Sequence, residues 1–270
     1  MYKGKTQDLA KNIRLSSLRM VNSARSSHIG SALSIADILA VLYGRILRYK
    51  PNNQNYQKRD RFILSKGHAC VALYSTLGHI GYFKESILES FCQDNSIFMG
   101  HASHEVPGVE FSTGSLGHGL PFGVGKVIAS KIKQEKWRTF VLLSDGELQE
   151  GSNWEAILFA SHHNLTSLVA IVDYNNLQSL TTVDQSIGIE PLSEKLEAFG
   201  WQVKIVDGHD HNALHKVLSM PQENTRKPLM VLAKTVKGKG VSFMEDRVEW
   251  HYRSPSMKEL KKALLEVENA

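Results

Sequence analysis

The second half of this chain alternates short apolar runs with segments of helical spacing, and that alternation restricts the fold more than any other feature. The runs Phe140–Ser144, Leu168–Asp173, Gln202–Val206 and Leu229–Lys234 have the length of strands. Between them lie Ser152–His163, Leu192–Phe199 and Asn212–Leu218, each patterned as a helix. Parallel strands need a crossover between them, usually a helix, so the pattern predicts an α/β fold: a parallel sheet with helices on both faces. Nothing in the 270 residues reads as a linker, repeat or low-complexity stretch, and residues 1–270 are expected to form a single domain.

The first half supplies further elements. Thr6–Ala24 reads as an amphipathic helix, and Ser34, with Asp37 three residues later, reads as the N-cap of a second helix over Ile35–Leu47. Pro51–Gln57 is a polar loop. Arg61–Ser65 reads as a buried strand running into Lys66-Gly67-His68, and Ala69–Gly78 as a helix. The stretch Phe91–Gly123 is rich in Gly and His and far longer than the median loop of about 4–6 residues, as functional loops are. A helix is expected to start near Phe122, Trp154 and Phe159 to pack in the core, and Met257–Val267 to form a last amphipathic helix.

With 42% hydrophobic and 22% charged residues, the chain has the composition of a globular protein rather than a disordered or fibrous one. The net charge of +5 is spread without a basic run, which argues against a nucleic-acid partner. Lys and Arg interrupt the first twenty residues, and no apolar stretch approaches the roughly 20 residues of a membrane span, so a cytoplasmic protein is expected. Cys70 and Cys92, in helix-like segments, match no metal-ligand spacing, consistent with a reducing compartment and no zinc site.

The chemistry concentrates at two strand ends. Leu143-Ser144-Asp145-Gly146-Glu147 carries an apolar run straight into an acidic residue and a glycine, and Leu168-Val169-Ala170-Ile171-Val172 runs into Asp173-Tyr174-Asn175-Asn176. If the strands are neighbours, Asp145 and Asn175 face one cleft at the carboxyl edge, where ligands of such sheets bind. Magnesium is usually held by one or two protein carboxylates or carbonyls plus phosphate oxygens, which Asp145, Asn175 and a nearby carbonyl could provide. An Asp-Gly after a strand is also what a plain turn requires.

Taken with the thirty-position separation of Asp145 and Asn175, these residues resemble the motif of thiamine diphosphate enzymes, and Ser144 stands where that motif usually has its first Gly. Within that superfamily the chain resembles the diphosphate-binding, amino-terminal part of transketolases. The resemblance runs through Ser27-His28-Ile29-Gly30, Ser65-Lys66-Gly67-His68, Gly100-His101, Pro107 to Gly117, Asp145 to Gly151, Lys237-Gly238-Lys239-Gly240 and His251.

That resemblance implies thiamine diphosphate and Mg2+ as cofactors. It implies Asp145, Asn175 and the Leu177 carbonyl as metal ligands. His28, His68, His101 and His251 correspond to residues lining the channel over the thiazolium; imidazole titrates near pH 6.5 and can exchange protons with sugar hydroxyls. Gly114, Ser115, Leu116, Gly146, Glu147 and Glu150 correspond to positions against the cofactor or, for Glu150, at the subunit interface, together with His68, Asn175 and His251. His118 replaces a Gln common in the family. Taken alone, a loop histidine or the carboxylate of Glu150 at a helix start also fits a plain structural role.

The implied reaction is transfer of a two-carbon ketol unit from a ketose to an aldose, on sugars or sugar phosphates. The family's activating glutamate lies on a pyrimidine-binding domain beyond the matched region, so the resemblance implies a partner subunit carrying that domain, in a two-plus-two assembly. A deoxyxylulose phosphate synthase, a ketol transferase for a sulfonated or branched sugar, and a non-catalytic paralogue remain alternatives.

Overall fold

Five strands, β1 (Arg61–Leu64), β2 (Thr139–Ser144), β3 (Leu168–Tyr174), β4 (Gln202–Asp207) and β5 (Leu229–Lys234), pair in the order β1-β2-β3-β5-β4, all parallel. The computed structural model describes residues 2–220 and 226–270. Helices α1 (Thr6–Ala24), α2 (Ile29–Ser34), α3 (Ala36–Val41), α4 (Cys70–His79), α5 (Gly119–Ile132), α6 (Gly151–His162), α7 (Val183–Ile187), α8 (Leu192–Ala198), α9 (His211–Leu218) and α10 (Met257–Asn269) surround the sheet.

Side chains alternate across a strand, and here the two sets enter two separate apolar layers. Phe140, Leu142, Val169, Ile171, Leu229 and Val231 pack with residues of α1 to α4, α9 and α10. Val141, Leu143, Ala170, Val172, Met230 and Leu232 pack with α5, α6 and α8. All twelve are essentially buried, at about 1.5–3 kcal/mol for a large apolar side chain, which is why the central strands read as unbroken apolar runs. Edge strand β4 is only half-buried and leaves Ile205 exposed.

The sheet and the two helical layers agree with the α/β expectation, and the observed strands lie within one residue of the expected ones. Several local expectations need correction. Ser34 caps nothing: it ends α2, and its hydroxyl donates to Asp173 Oδ2 at 2.7 Å, because a buried carboxylate competes for it. The apolar run after it breaks at Ile35, forms α3 and continues as a wider turn over Leu42–Ile46. Helix α5 starts at Gly119, ahead of Phe122. Phe159 lies on the outer face of α6, exposed, while Trp154 is partly buried and donates through Nε1 to the Leu148 carbonyl at 2.7 Å. Cys92 sits in a turn at φ 54° rather than a helix. No helix among the described residues is long and apolar enough to cross a membrane.

Candidate functional site

A cavity of about 240 Å³ opens over the carboxyl ends of β1, β2, β3 and β5. The strands feed it in turn: Lys66 follows β1, Asp145 follows β2, Asn175 follows β3 and Lys237 follows β5. β2 and β3 are neighbours in register, with Ser144 opposite Asp173, so their polar ends do share one cleft.

Its floor is a network of buried charge. Asp173, fully buried, pairs with the Lys66 ammonium, accepts from the Ser34 and Thr235 hydroxyls, and accepts from Asn175 Nδ2 at 3.0 Å. Burial pushes the Asp173 carboxyl up, but the Lys66 charge and these donors outweigh it and hold it below the usual carboxylate range. The bond to Asn175 Nδ2 assigns the amide: its oxygen is left free of Asp173 and accepts from the Leu177 N–H at 3.0 Å.

Asp145, 1% exposed, accepts from the Gly146 N–H at 2.8 Å and the Asn176 N–H at 2.5 Å. Burial and then the charge of Asp173 push its carboxyl up to about 6. A carboxylate so placed gains from a cation, and its two oxygens have acceptor capacity beyond two N–H donors. Among the described residues no group of three or more His, Cys, Asp or Glu could hold a metal. The oxygens that line this part of the cavity are one carboxylate with amide and carbonyl oxygens, a hard-oxygen set that suits magnesium. The amide Nε2 of Gln178, also lining the cavity, is buried without a partner among the described residues, as a donor awaiting an anionic ligand would be.

The mouth is built from histidines. The His28 ring lies 5.1 Å from His68, 5.8 Å from His101 and 4.9 Å from His251, centroid to centroid, although the four come from separate loops. His28 adopts φ 74°, uncommon for a non-glycine residue, and its N–H donates to the His251 carbonyl at 2.7 Å. Burial, then the neighbouring His101, Lys237 and Lys66, pull His28 down to about 4. Burial and the Lys237 charge pull His251 down to about 3, and burial with Lys66 holds His68 well below its usual range. These three rings are neutral at neutral pH. The Lys237 ammonium, pushed down to about 8 by burial and Lys66, donates to the carbonyls of Leu177 at 3.2 Å and Gln178 at 2.7 Å and to His251 Nδ1 at 3.1 Å.

Of the residues singled out from sequence, His28, His68, His101, His251, Gly114, Leu116, Asp145, Gly146, Asn175 and Leu177 line this cavity. Three do not. Ser115 is exposed in the loop beside it. Glu147 is fully buried beneath that loop, accepting from the Ser65 hydroxyl, the Gly117 N–H and the Ser144 N–H, so it ties three loops together. Glu150 is exposed at the start of α6 and packs on Gly117, whose φ of 84° and lack of space for a Cβ demand glycine. Lys66, Asp173 and Lys237 escaped the sequence reading as functional groups. A charged residue within two or three positions of an apolar strand end is the signal that could have found them.

The same fold recurs in known proteins. Residues 5–264 match the family model of the transketolase thiamine diphosphate binding domain. The chain is 38% identical over 250 residues to one of the apulose-4-phosphate transketolase subunits of Phocaeicola vulgatus, covering 93% of this chain and 89% of that protein. It is 34% identical to a 6-deoxy-6-sulfo-D-fructose transketolase subunit of a Clostridium species, covering 97% and 96% of the two. The transketolase structure from Campylobacter jejuni superposes with a TM-score of 0.91 at 32% identity, covering 99% of this chain and 43% of that one. This chain therefore belongs to the transketolase family and carries its thiamine diphosphate-binding domain.

Proposed function

We propose that this chain is the diphosphate-binding subunit of a two-chain transketolase that moves a two-carbon ketol unit from a ketose to an aldose. The observation that carries the reading is the joining, in one cavity, of an oxygen-donor cradle at the ends of β2 and β3 with a ring of four imidazoles above it. Thiamine diphosphate, when bound, supplies the carbon nucleophile for breaking and making the carbon–carbon bond.

In this reading Asp145, Asn175 and the Leu177 carbonyl would hold magnesium, and Gly114, Leu116 and Gly146 would lie against the cofactor. His28, His68, His101 and His251 bind and exchange protons with sugar hydroxyls. The Lys237 bond to His251 Nδ1 keeps the His251 proton on Nε2, so that ring offers a donor.

A partner subunit carrying the pyrimidine-binding domain completes the site, in a two-plus-two assembly in the cytoplasm. Support comes from relatives that are named as subunits and matched over 89% and 96% of their lengths. Those relatives are named for a phosphorylated and a sulfonated sugar, so the substrate class assigned here is a ketose bearing an anionic group. The test is an assay of ketol transfer with the chain alone and with its complementary subunit. Transfer is expected only from the pair, and robust transfer by the chain alone would overturn the two-chain reading.

A further inference from the structure

A second buried network lies outside the cavity. Asp37, on α3, accepts from Arg14 Nη1 at 3.1 Å and Nη2 at 2.6 Å, from His209 Nδ1 at 2.7 Å and from His211 Nε2 at 3.0 Å. The roles of the two His209 nitrogens follow from its other partner. Its Nε2 accepts the Val236 backbone N–H at 2.9 Å, so the ring proton sits on Nδ1 and is donated to Asp37.

Val236 is one residue from Lys237, whose side chain is 1% exposed and reaches the Leu177 and Gln178 carbonyls and His251. The segment leaving β5 is pinned on both sides of that lysine. Before Val236 the Thr235 hydroxyl donates to Asp173, and after Lys237 the Gly238 N–H donates to the Gly30 carbonyl at 3.0 Å. His209 supplies the central attachment, and it comes from the loop after β4, the strand that sends nothing into the cavity itself.

We propose that His209 is a positioning residue: locked in one tautomer by Asp37, it holds the Val236 amide and thereby sets the Lys237 ammonium between the Leu177 and Gln178 carbonyls and His251. The consequence for function rests on the cofactor-site reading given above, whereas the positional claim concerns this chain alone.

The two ring nitrogens can be tested separately. Gln places an acceptor near the position of Nε2 and so retains the contact to Val236, whereas Asn retains a donor near Nδ1 for Asp37 but cannot reach Val236. Acylation of the folded chain by limiting acetic anhydride, read at Lys237 by mass spectrometry of its peptides, reports whether its ammonium is still held. His209→Asn is expected to raise Lys237 labelling about fivefold or more, and His209→Gln to stay within about twofold of wild type. With the partner subunit present, thiamine diphosphate affinity is expected to fall about tenfold in His209→Asn alone.

Equal labelling in the two variants would overturn the positional claim. Altered labelling without any change in cofactor affinity would leave the positioning intact and count against the cofactor-site reading. Independent of any variant, nitrogen chemical shifts of the wild-type His209 ring must show a protonated Nδ1 and a bare Nε2. The opposite tautomer, or a doubly protonated ring at neutral pH, would also overturn it.

Discussion

The floor and the mouth of the cavity solve opposite problems. On the floor, Asp145, Asp173 and Lys66 are almost wholly buried, and every one of them is held by named donors or acceptors from strand ends, adjoining turns or α2. At the mouth, His101 and Tyr252 are exposed and the imidazoles touch chiefly one another. Buried charge is expensive to desolvate, and a fold that has already met that cost presents a rigid electrostatic anchor. Groups that meet a changing substrate need the reverse: few fixed partners and a face open to the cavity. The contrast assigns binding to the floor and proton handling to the mouth.

Several changes would break or sharpen that division. Asp173→Ala removes one partner of a buried ion pair, strips Asn175 of the acceptor that orients it, and strands the Lys66 ammonium; a loss of about 3–5 kcal/mol in urea unfolding is expected. A loss below about 1 kcal/mol would mean the floor is not preorganised. Asp145→Ala should weaken magnesium-dependent thiamine diphosphate binding more than about 100-fold by calorimetry, since even residues that merely support metal ligands contribute about 10–100-fold. Unchanged affinity would remove Asp145 from the cradle.

His101→Ala, at the exposed mouth, should lower the turnover of the assembled enzyme about 100-fold while cofactor affinity stays within about threefold. The reverse pattern would merge the two regions into one. The smallest effect expected is on pH dependence. His28 and His251 are pulled from 6.5 to about 4 and about 3 in the fold, so below pH 6.5 the unfolded chain takes up protons that the folded chain refuses. These two residues therefore make stability fall as pH drops through about 6.5 towards 4 and 3, and their slope fades as pH rises above 6.5. His28→Gln should lose measurably less stability than wild type between pH 7 and 5; identical losses would contradict the buried, neutral ring.

The strands were legible because both faces of the sheet are covered: Val141 and Leu142 enter different layers, yet both must be apolar. The oxygen cradle was legible for a related reason, since Asp145 and Asn175 stand where apolar runs stop. Helix α7 was not, because five residues, including Asp184, Gln185 and Ser186, show no apolar period. Ser34 reads locally as a cap, and only Asp173, 139 positions away, explains its true partner. Lys66 and Lys237 stood in motif runs without a role of their own, since partners such as Asp173 and the Leu177 carbonyl lie on other strand ends. Glu147 was legible as a motif residue but not as a tie between loops, for the same reason of distance in sequence.

The most direct test of the central claim, that these strand ends form a cation-dependent diphosphate site, is a calorimetric titration of the wild-type chain, together with its partner subunit, with thiamine diphosphate, with magnesium and with a chelator. Binding is predicted with magnesium and to be at least about tenfold weaker once the cation is removed. Equal affinity under both conditions would contradict the assignment of Asp145, Asn175 and Leu177 as the cradle.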